Sequence, residues 1–143
     1  MKLTGKLYAI VNVDEHKDAL AFIIELLSHG IKIIQLRSKK PEDDFLLWLA
    51  KVTQSLCLAK DATLIINDNV FLVTKSSAAG VHLGQTDMSP EEARSLLGAS
   101  VIIGQSTHSL EQAMAADKDP AVDYIAIGPI FPTQTKKDTS PVI

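Results

Sequence analysis

Residues 63–83 read TLIINDNVFLVTKSSAAGVHL, and this stretch decides the class of fold. It begins with a short apolar segment at 63–66 and ends with another at 80–83, while residues 69–77 between them predict a short helix. Neither apolar segment alternates apolar with polar side chains, which is typical of strands covered on both faces. The stretch therefore predicts a strand–helix–strand unit whose two strands are parallel.

The same strand–helix pattern continues on both sides of this stretch. Further apolar segments rich in β-branched residues lie at 7–11, 31–36, 101–103 and 124–127, with short connections around longer polar segments. The repeated unit has the size of a strand–helix crossover, so six parallel strands with intervening helices are predicted. Two α/β architectures fit this order: a doubly wound open sheet, or part of a (β/α)8 barrel.

Helix signals separate the predicted strands. Asp14 can cap a helix over residues 15–29, and Pro41 with three carboxylates opens a helix that runs to about residue 59. That second helix is expected to bury Phe45 and Trp48. Two capping boxes open later helices, Ser89 with Glu92 and Ser109 with Gln112.

Length and composition bound the class of protein. A chain of 143 residues with 46% hydrophobic and 22% charged residues suits one packed domain. The net charge of −3 and the pI near 5.7 argue against a sequence-independent nucleic-acid binder, which would be basic. Cys57 is the single cysteine, so a cytosolic protein is expected. We expect neither a signal peptide nor a membrane span.

Polar side chains follow the predicted strands, and the carboxyl ends of these strands share one face in either architecture. Arg37 and Lys39 flank a serine after the second strand, an arrangement that suits an anion, although both could be ordinary solvated charges. Asp68 and Asp87 follow the third and fourth strands, where each could simply cap the next helix. Together these oxygen ligands favour Mg²⁺, and the whole set suits a phosphorylated anion held with a divalent metal.

Other candidates have two interpretations. Gly104 precedes Ser106 by two positions, which suggests close approach of the backbone to a ligand. His82 lies inside an apolar strand and is interpreted as a core histidine, whereas His108 either enters a helix or faces the site. Cys57 lies in a predicted helix without a nearby base and is interpreted as core.

Five motifs, each at the end of a predicted strand, occur in an order that resembles the thiamine phosphate synthase family, which also contains the thiazole tautomerases. They are QLRSK at 35–39, LIINDN at 64–69, GVHLGQTDMS at 80–89, IIGQSTHS at 102–109 and YIAIGPIFPTQTKKD at 124–138. The resemblance implies a parallel (β/α)8 TIM-barrel fold. It also implies a transferase that joins hydroxymethylpyrimidine diphosphate to hydroxyethylthiazole phosphate, giving thiamine phosphate and diphosphate.

The resemblance further implies roles for particular side chains. Those expected at the pyrimidine diphosphate are Gln35, Arg37, Lys39, Asn67 and Ser106. Thr133 and Thr135 are expected at the thiazole phosphate, and Lys136 at the diphosphate leaving group. The groups expected to act in catalysis are Arg37, Lys39, Ser106 and Lys136. Asp68 and Asp87 are expected to bind Mg²⁺ as the cofactor, and small molecules rather than nucleic acid or membrane are the expected partners.

Two other functions stay open beside the synthase. A thiazole tautomerase would use acid–base chemistry, for which His108 is the candidate, but it would not need the two carboxylates. A barrel fragment that binds ligand without turnover is the other. Because the family pattern continues with two more strands, we expect residues 1–143 to form a single incomplete barrel domain. We therefore expect a fragment, a truncated product, or a homo-oligomer in which a second copy completes the sheet.

Overall fold

The computed structural model describes residues 3, 5–40 and 42–131, and strands alternate with helices throughout them. The strands are β1 Tyr8–Asn12, β2 Ile33–Arg37, β3 Thr63–Asn67, β4 Gly80–Leu83, β5 Ile102–Thr107 and β6 Tyr124–Ile127. The helices are α1 Ala19–Ser28, α2 Asp44–Ala59, α3 Val70–Ser76, α4 Pro90–Leu97 and α5 Leu110–Asp117. Each predicted strand is present, and the one predicted at 101–103 extends to Thr107.

All six strands form one parallel sheet in the order β1-β2-β3-β4-β5-β6. A doubly wound sheet would reverse its strand order, so the sequential order excludes that architecture and confirms the barrel type. The sheet is also strongly curled. This is shown by the hydroxyl groups of Tyr8 on β1 and Tyr124 on β6, which lie 2.8 Å apart. A flat sheet would separate these two outer strands by about 24 Å.

Alternate residues of each strand face opposite sides of the curled sheet. The outward residues pack against the helices and form the main core, which includes Ile34, Leu64 and Val81, all fully buried. The inward residues Ile33, Ile65 and Ile102 form a smaller cluster, and Ile33 and Ile102 are the first residues of their strands. Polar side chains occupy the inward positions closer to the carboxyl ends, and this is where the site lies.

Two helices begin later than the sequence indicates. Helix α1 begins at Ala19 with Asp18 as its cap, since the Asp18 carboxylate accepts from the backbone N–H of Ala21 at 2.9 Å. Asp14 instead lies in a 3-10 turn at Val13–Glu15. Asp43 caps α2 by accepting from the N–H of Leu46 at 2.8 Å. More than one carboxylate lies near the start of each of these helices. The sequence alone therefore did not identify which carboxylate caps the helix.

The expectation that α2 buries its aromatic residues is wrong. Phe45 is 54% exposed and Trp48 is 48% exposed, and their rings contact each other at a centroid distance of 5.8 Å. The buried face of α2 is instead lined by smaller side chains, among them Leu49, Ala50 and Cys57. The rings are therefore surface groups that cover each other.

None of the helices in the described ranges combines the length and the apolarity that crossing a bilayer requires.

Candidate active site

A chain of hydrogen bonds crosses the inside of the curled sheet. The Nε2 of Gln35 on β2 donates to the hydroxyl of Tyr8 at 2.9 Å, and that hydroxyl lies 2.8 Å from the hydroxyl of Tyr124. The Tyr124 hydroxyl lies 2.9 Å from Nδ1 of His82, whose Nε2 lies 2.8 Å from Oγ of Ser106. Gln35 and His82 are buried, whereas Ser106 is half-buried. The sequence placed Gln35 and Ser106 in the site, and the structure connects them through three other side chains.

His82 is therefore a buried histidine whose two ring nitrogens have partners, as its interpretation as a core residue requires. Its partners, however, lie in the site. Gly104 leaves room for one of them, because a β-carbon at that position would overlap the ring of Tyr124. The close approach that Gly104 allows is thus made by a side chain of the protein.

The loop after β2 carries two of the predicted anion-binding groups. Arg37 donates to the amide oxygen of Asn12 on β1 at 3.0 Å, which holds its guanidinium at the carboxyl ends of the strands. Asp14 holds the loop itself: its carboxylate accepts from the N–H of Lys39 at 2.7 Å and from the Ser38 hydroxyl at 3.2 Å. Within the described residues the Lys39 ammonium group has no hydrogen-bond partner, so it is available to an anion.

Asp68 and Asp87 meet at the carboxyl ends of β3 and β4. Partial loss of hydration is the largest cause that raises the pKa of Asp68 to about 6, followed by the hydrogen bond and negative charge of Asp87. The Arg37 charge and a hydrogen bond from Asn67 oppose that rise. The structure thus places four of the predicted site residues in one electrostatic cluster.

Neither carboxylate caps a helix, although the sequence left that use open. Asn69 caps α3 by accepting from the N–H of Leu72 at 2.9 Å. Ser89 caps α4 as part of a capping box with Glu92. The Asp87 carboxylate accepts from the backbone N–H of Gly84 at 2.7 Å, which fixes it toward Asp68.

The carboxylate pair has the chemistry of a site for a hard divalent cation. Two adjacent negative groups that repel each other gain from such a cation, and Mg²⁺ commonly binds through one or two carboxylates together with substrate phosphate and water. In the described part of the chain no three His, Cys, Asp or Glu residues are grouped so as to hold a metal by themselves. The pair therefore fits a cation that is shared with a phosphorylated ligand.

His108 is engaged by the backbone. Its Nδ1 lies 2.6 Å from the carbonyl oxygen of Gly128, and its backbone N–H donates to the side chain of Gln112. This contact ties the start of α5 to the segment after β6. Cys57 is fully buried, and burial raises the pKa of its thiol to about 11, which leaves it unreactive at neutral pH.

Three predicted site residues, Thr133, Thr135 and Lys136, lie outside the described residues, and their roles stay predictions. Four residues near the site were missed from the sequence as functional groups: Tyr8, Asn12, Asp14 and Tyr124. The alternation of side chains along a strand would have placed Tyr8 and Tyr124 on the inward face. An aromatic residue in an apolar segment is, however, interpreted as part of the core. Asp14 carries no signal beyond a capping pattern.

The curled parallel sheet and its polar carboxyl-terminal rim define a protein of the β/α-barrel class, whose sites lie at this end of the strands. The chain matches the family model described as "Thiamine monophosphate synthase" over residues 7–143. It therefore belongs to the thiamine monophosphate synthase family.

Curated relatives and a solved structure agree with this assignment. A thiamine-phosphate synthase of Halalkalibacterium halodurans is 44% identical over 135 residues, which cover 93% of this chain and 64% of the relative. One from Shouchella clausii is 41% identical with the same two coverages, 93% and 64%. The structure of a thiamine phosphate pyrophosphorylase from Pyrococcus furiosus matches with a TM-score of 0.82 and 34% identity, covering 90% of this chain and 62% of that one. The chain thus spans a little under two thirds of these relatives.

Proposed function

We propose that this chain provides the diphosphate-binding and metal-binding side of a thiamine phosphate synthase active site. The observation that carries the proposal is the contact of Asp68 with Asp87 in the field of Arg37, at the mouth of the barrel. This combination of a hard-cation site and a guanidinium group suits a diphosphate ester. The names of the relatives, all thiamine-phosphate synthases or a pyrophosphorylase, supply the substrate class.

The proposed reaction joins hydroxymethylpyrimidine diphosphate to hydroxyethylthiazole phosphate. The bond from the pyrimidine methylene carbon to the diphosphate oxygen breaks, and a bond from that carbon to the thiazole nitrogen forms. Positive charge develops on the methylene carbon and is delocalised into the aminopyrimidine ring, while negative charge develops on the departing diphosphate. The protein must therefore stabilise an anion and hold two substrates in line, and it needs no nucleophile of its own.

Particular residues perform these tasks in the proposal. Arg37 and Lys39 bind the diphosphate oxygens, and the Asp14 carboxylate holds their loop in place by accepting from the Lys39 N–H and the Ser38 hydroxyl. Asp68 and Asp87 hold the divalent cation, proposed to be Mg²⁺. When bound, that cation supplies positive charge that offsets the charge of the leaving diphosphate.

The test combines a product assay with a binding assay. The protein is incubated with both substrates and Mg²⁺, and thiamine phosphate is measured by liquid chromatography and mass spectrometry. Binding of inorganic diphosphate with Mg²⁺ is measured by calorimetry. We expect Asp68→Asn and Asp87→Asn each to lower turnover by roughly a hundredfold, because each removes a charged oxygen ligand.

Asp61→Asn is the matched control, since Asp61 has a left-handed backbone (φ 50°) like Asp68 (φ 60°) but lies in the α2–β3 loop at the opposite end of the barrel. It should leave both assays unchanged. Full activity in both rim variants would reject the metal assignment. Tight binding of diphosphate without product would instead favour the fragment that binds without turnover. Isomerisation of a thiazole phosphate that is lost in His108→Gln, with no thiamine phosphate formed, would favour the tautomerase.

Three further expectations belong to this proposal. The substrates are small molecules, the location is cytosolic, and a homo-oligomer is one of the states expected for this chain. Cell fractionation tests the location, and size-exclusion chromatography with light scattering tests self-association.

A further inference from the structure

The hydrogen-bonded chain inside the sheet consists of Gln35, Tyr8, Tyr124, His82 and Ser106, in that order. We propose that it is polarised in one direction, so that Tyr8 and Tyr124 act as positioning residues for the imidazole of His82. They hold that imidazole as the tautomer with its proton on Nε2. Ser106 then accepts from the imidazole and keeps its own hydroxyl proton for an anionic oxygen of the substrate.

The direction begins at Gln35, whose side-chain N–H can only donate. Its partner is the Tyr8 hydroxyl oxygen, at 2.9 Å. Burial raises the pKa of Tyr8, so the phenol keeps its proton and must place it on an acceptor. Among the described residues, the other partner of that hydroxyl is Tyr124, at 2.8 Å. If Tyr124 donated to Tyr8 instead, the Tyr8 proton would have no acceptor, a costly defect in a partly buried group.

The direction then passes through Tyr124 to the histidine. Burial raises the pKa of Tyr124 as well, so this phenol also carries one proton. Its oxygen accepts from Tyr8, and its proton goes to its remaining partner, Nδ1 of His82, at 2.9 Å. A neutral imidazole that accepts at Nδ1 carries its proton on Nε2, which lies 2.8 Å from Oγ of Ser106.

The consequence lies at the end of the chain. The Ser106 oxygen accepts from the imidazole, so its hydroxyl proton is not needed within the chain. Gln85 donates to the backbone carbonyl of Ser106 at 2.7 Å and leaves the hydroxyl untouched. A diphosphate only accepts hydrogen bonds, so a serine fixed as a donor is what such a ligand requires. Only this choice of ligand rests on the proposed function; the direction of the chain does not.

Nuclear magnetic resonance of the protein without substrate tests the direction. The whole polypeptide is labelled with ¹⁵N in its histidines, and long-range ¹H–¹⁵N spectra show which ring nitrogen carries the proton. The His82→Gln variant identifies the signals of His82. We expect a neutral His82 with its proton on Nε2, and a shift toward the other tautomer in Tyr124→Phe. A proton on Nδ1 in the unaltered protein, or a tautomer that Tyr124→Phe leaves unchanged, would overturn the inference.

Calorimetry with inorganic diphosphate and Mg²⁺ tests the consequence. Ser106→Ala should weaken binding roughly tenfold, the effect of one hydrogen bond to a charged group. Tyr124→Phe should weaken it several-fold alone and not at all when added to Ser106→Ala. Additive losses would show that Tyr124 acts by packing, and they would overturn the positioning role.

Thr107→Val is the matched control for a lost hydroxyl on the same strand. The Thr107 hydroxyl donates to the carbonyl of Ala126 at 3.1 Å, outside the chain, so this variant should change stability but not diphosphate binding. Circular dichroism confirms that each variant is folded, and Tyr8→Phe replaces Tyr124→Phe if the latter is not. A protein with the expected tautomer that binds no diphosphate would reject the proposed function and leave the polarised chain standing.

Discussion

Asp68 lies in surroundings that differ from those of an ordinary surface carboxylate. Its backbone is left-handed, with φ at 60°, and its N–H donates to the carbonyl of His82 at 2.9 Å. These constraints hold the side chain next to Asp87, which contributes to the rise of its pKa to about 6. A charge kept at such a cost to folding is typical of a binding site.

This cost should be visible as a dependence of stability on pH. The folded pKa of Asp68, about 6, lies above the ordinary unfolded value of about 3.9, so the folded state binds the proton more tightly. Ionisation of Asp68 therefore destabilises the fold increasingly from about pH 4 to pH 6 and constantly above that. Without Mg²⁺, we expect Asp68→Asn to unfold at a higher temperature than the unaltered protein at pH 7.5, but not at pH 4.

Differential scanning calorimetry between pH 4 and 8 measures this difference. Asp61→Asn again controls for the backbone, because asparagine tolerates the left-handed region as well as aspartate does. It should show no gain that grows with pH. Equal curves for Asp68→Asn and the unaltered protein across the whole range would contradict the prediction.

At the scale of elements, Arg94 joins α4 to the amino-terminal ends of β5 and β6. Its guanidinium donates to the carbonyl oxygens of Gly98, Val101 and Ala121 and contacts the Asp123 carboxylate at 2.6 Å. That carboxylate also accepts from the N–H of Ile103 at 2.8 Å. The Arg94 side chain thus satisfies several backbone carbonyl groups by hydrogen bonding. These groups lie at the end of the barrel opposite the site, where residues are expected to act in stability.

We expect Arg94→Ala to lower the free energy of unfolding by about 2 kcal/mol, because it leaves partly buried carbonyl groups and a carboxylate without their donor. Urea unfolding followed by circular dichroism measures this loss. Diphosphate binding should be unchanged, since Arg94 lies at the other end of the strands.

Lys75→Ala is the comparison for an ordinary ion pair. Lys75 contacts Glu42 at 2.6 Å, but its side chain is 53% exposed, so its loss should cost less than about 1 kcal/mol. Equal losses in the two variants would show that Arg94 acts only as a surface charge.

At the scale of the whole molecule, the curl of the sheet brings its first and last strands into contact through two side chains. The Tyr8 and Tyr124 rings lie 6.0 Å apart between their centroids, and Tyr124 occupies the space that Gly104 leaves open on β5. The contact between the two tyrosines therefore depends on the absence of a side chain at one inward position.

Gly104→Ala should disturb this arrangement. The added methyl group would overlap the Tyr124 ring and force it off the line that joins Tyr8 to His82. We expect a loss of about 1–3 kcal/mol in the free energy of unfolding, the usual effect of overpacking, measured by urea denaturation.

Gly128→Ala serves as the control, because no described atom beyond its chain neighbours comes closer than 3.9 Å to its added β-carbon. Its effect should be small. A Gly104→Ala protein as stable as the unaltered one, with an unchanged His82 tautomer, would mean that the ring has room to move.

The sequence by itself determined the elements and most of the candidate site. Apolar segments, caps such as Ser89 and the polar residues after each strand depend on neighbours in the chain, so local patterns predicted six strands and both rim carboxylates. The strand pattern left two architectures open, and the family resemblance implied the barrel order that the structure confirms. Tertiary structure alone decided the use of Asp14 as a support for the β2 loop and the hydrogen bond between Tyr8 and Tyr124, which are 116 residues apart. These features depend on how far the sheet curls, and curl is set by packing between distant strands, which local composition does not encode.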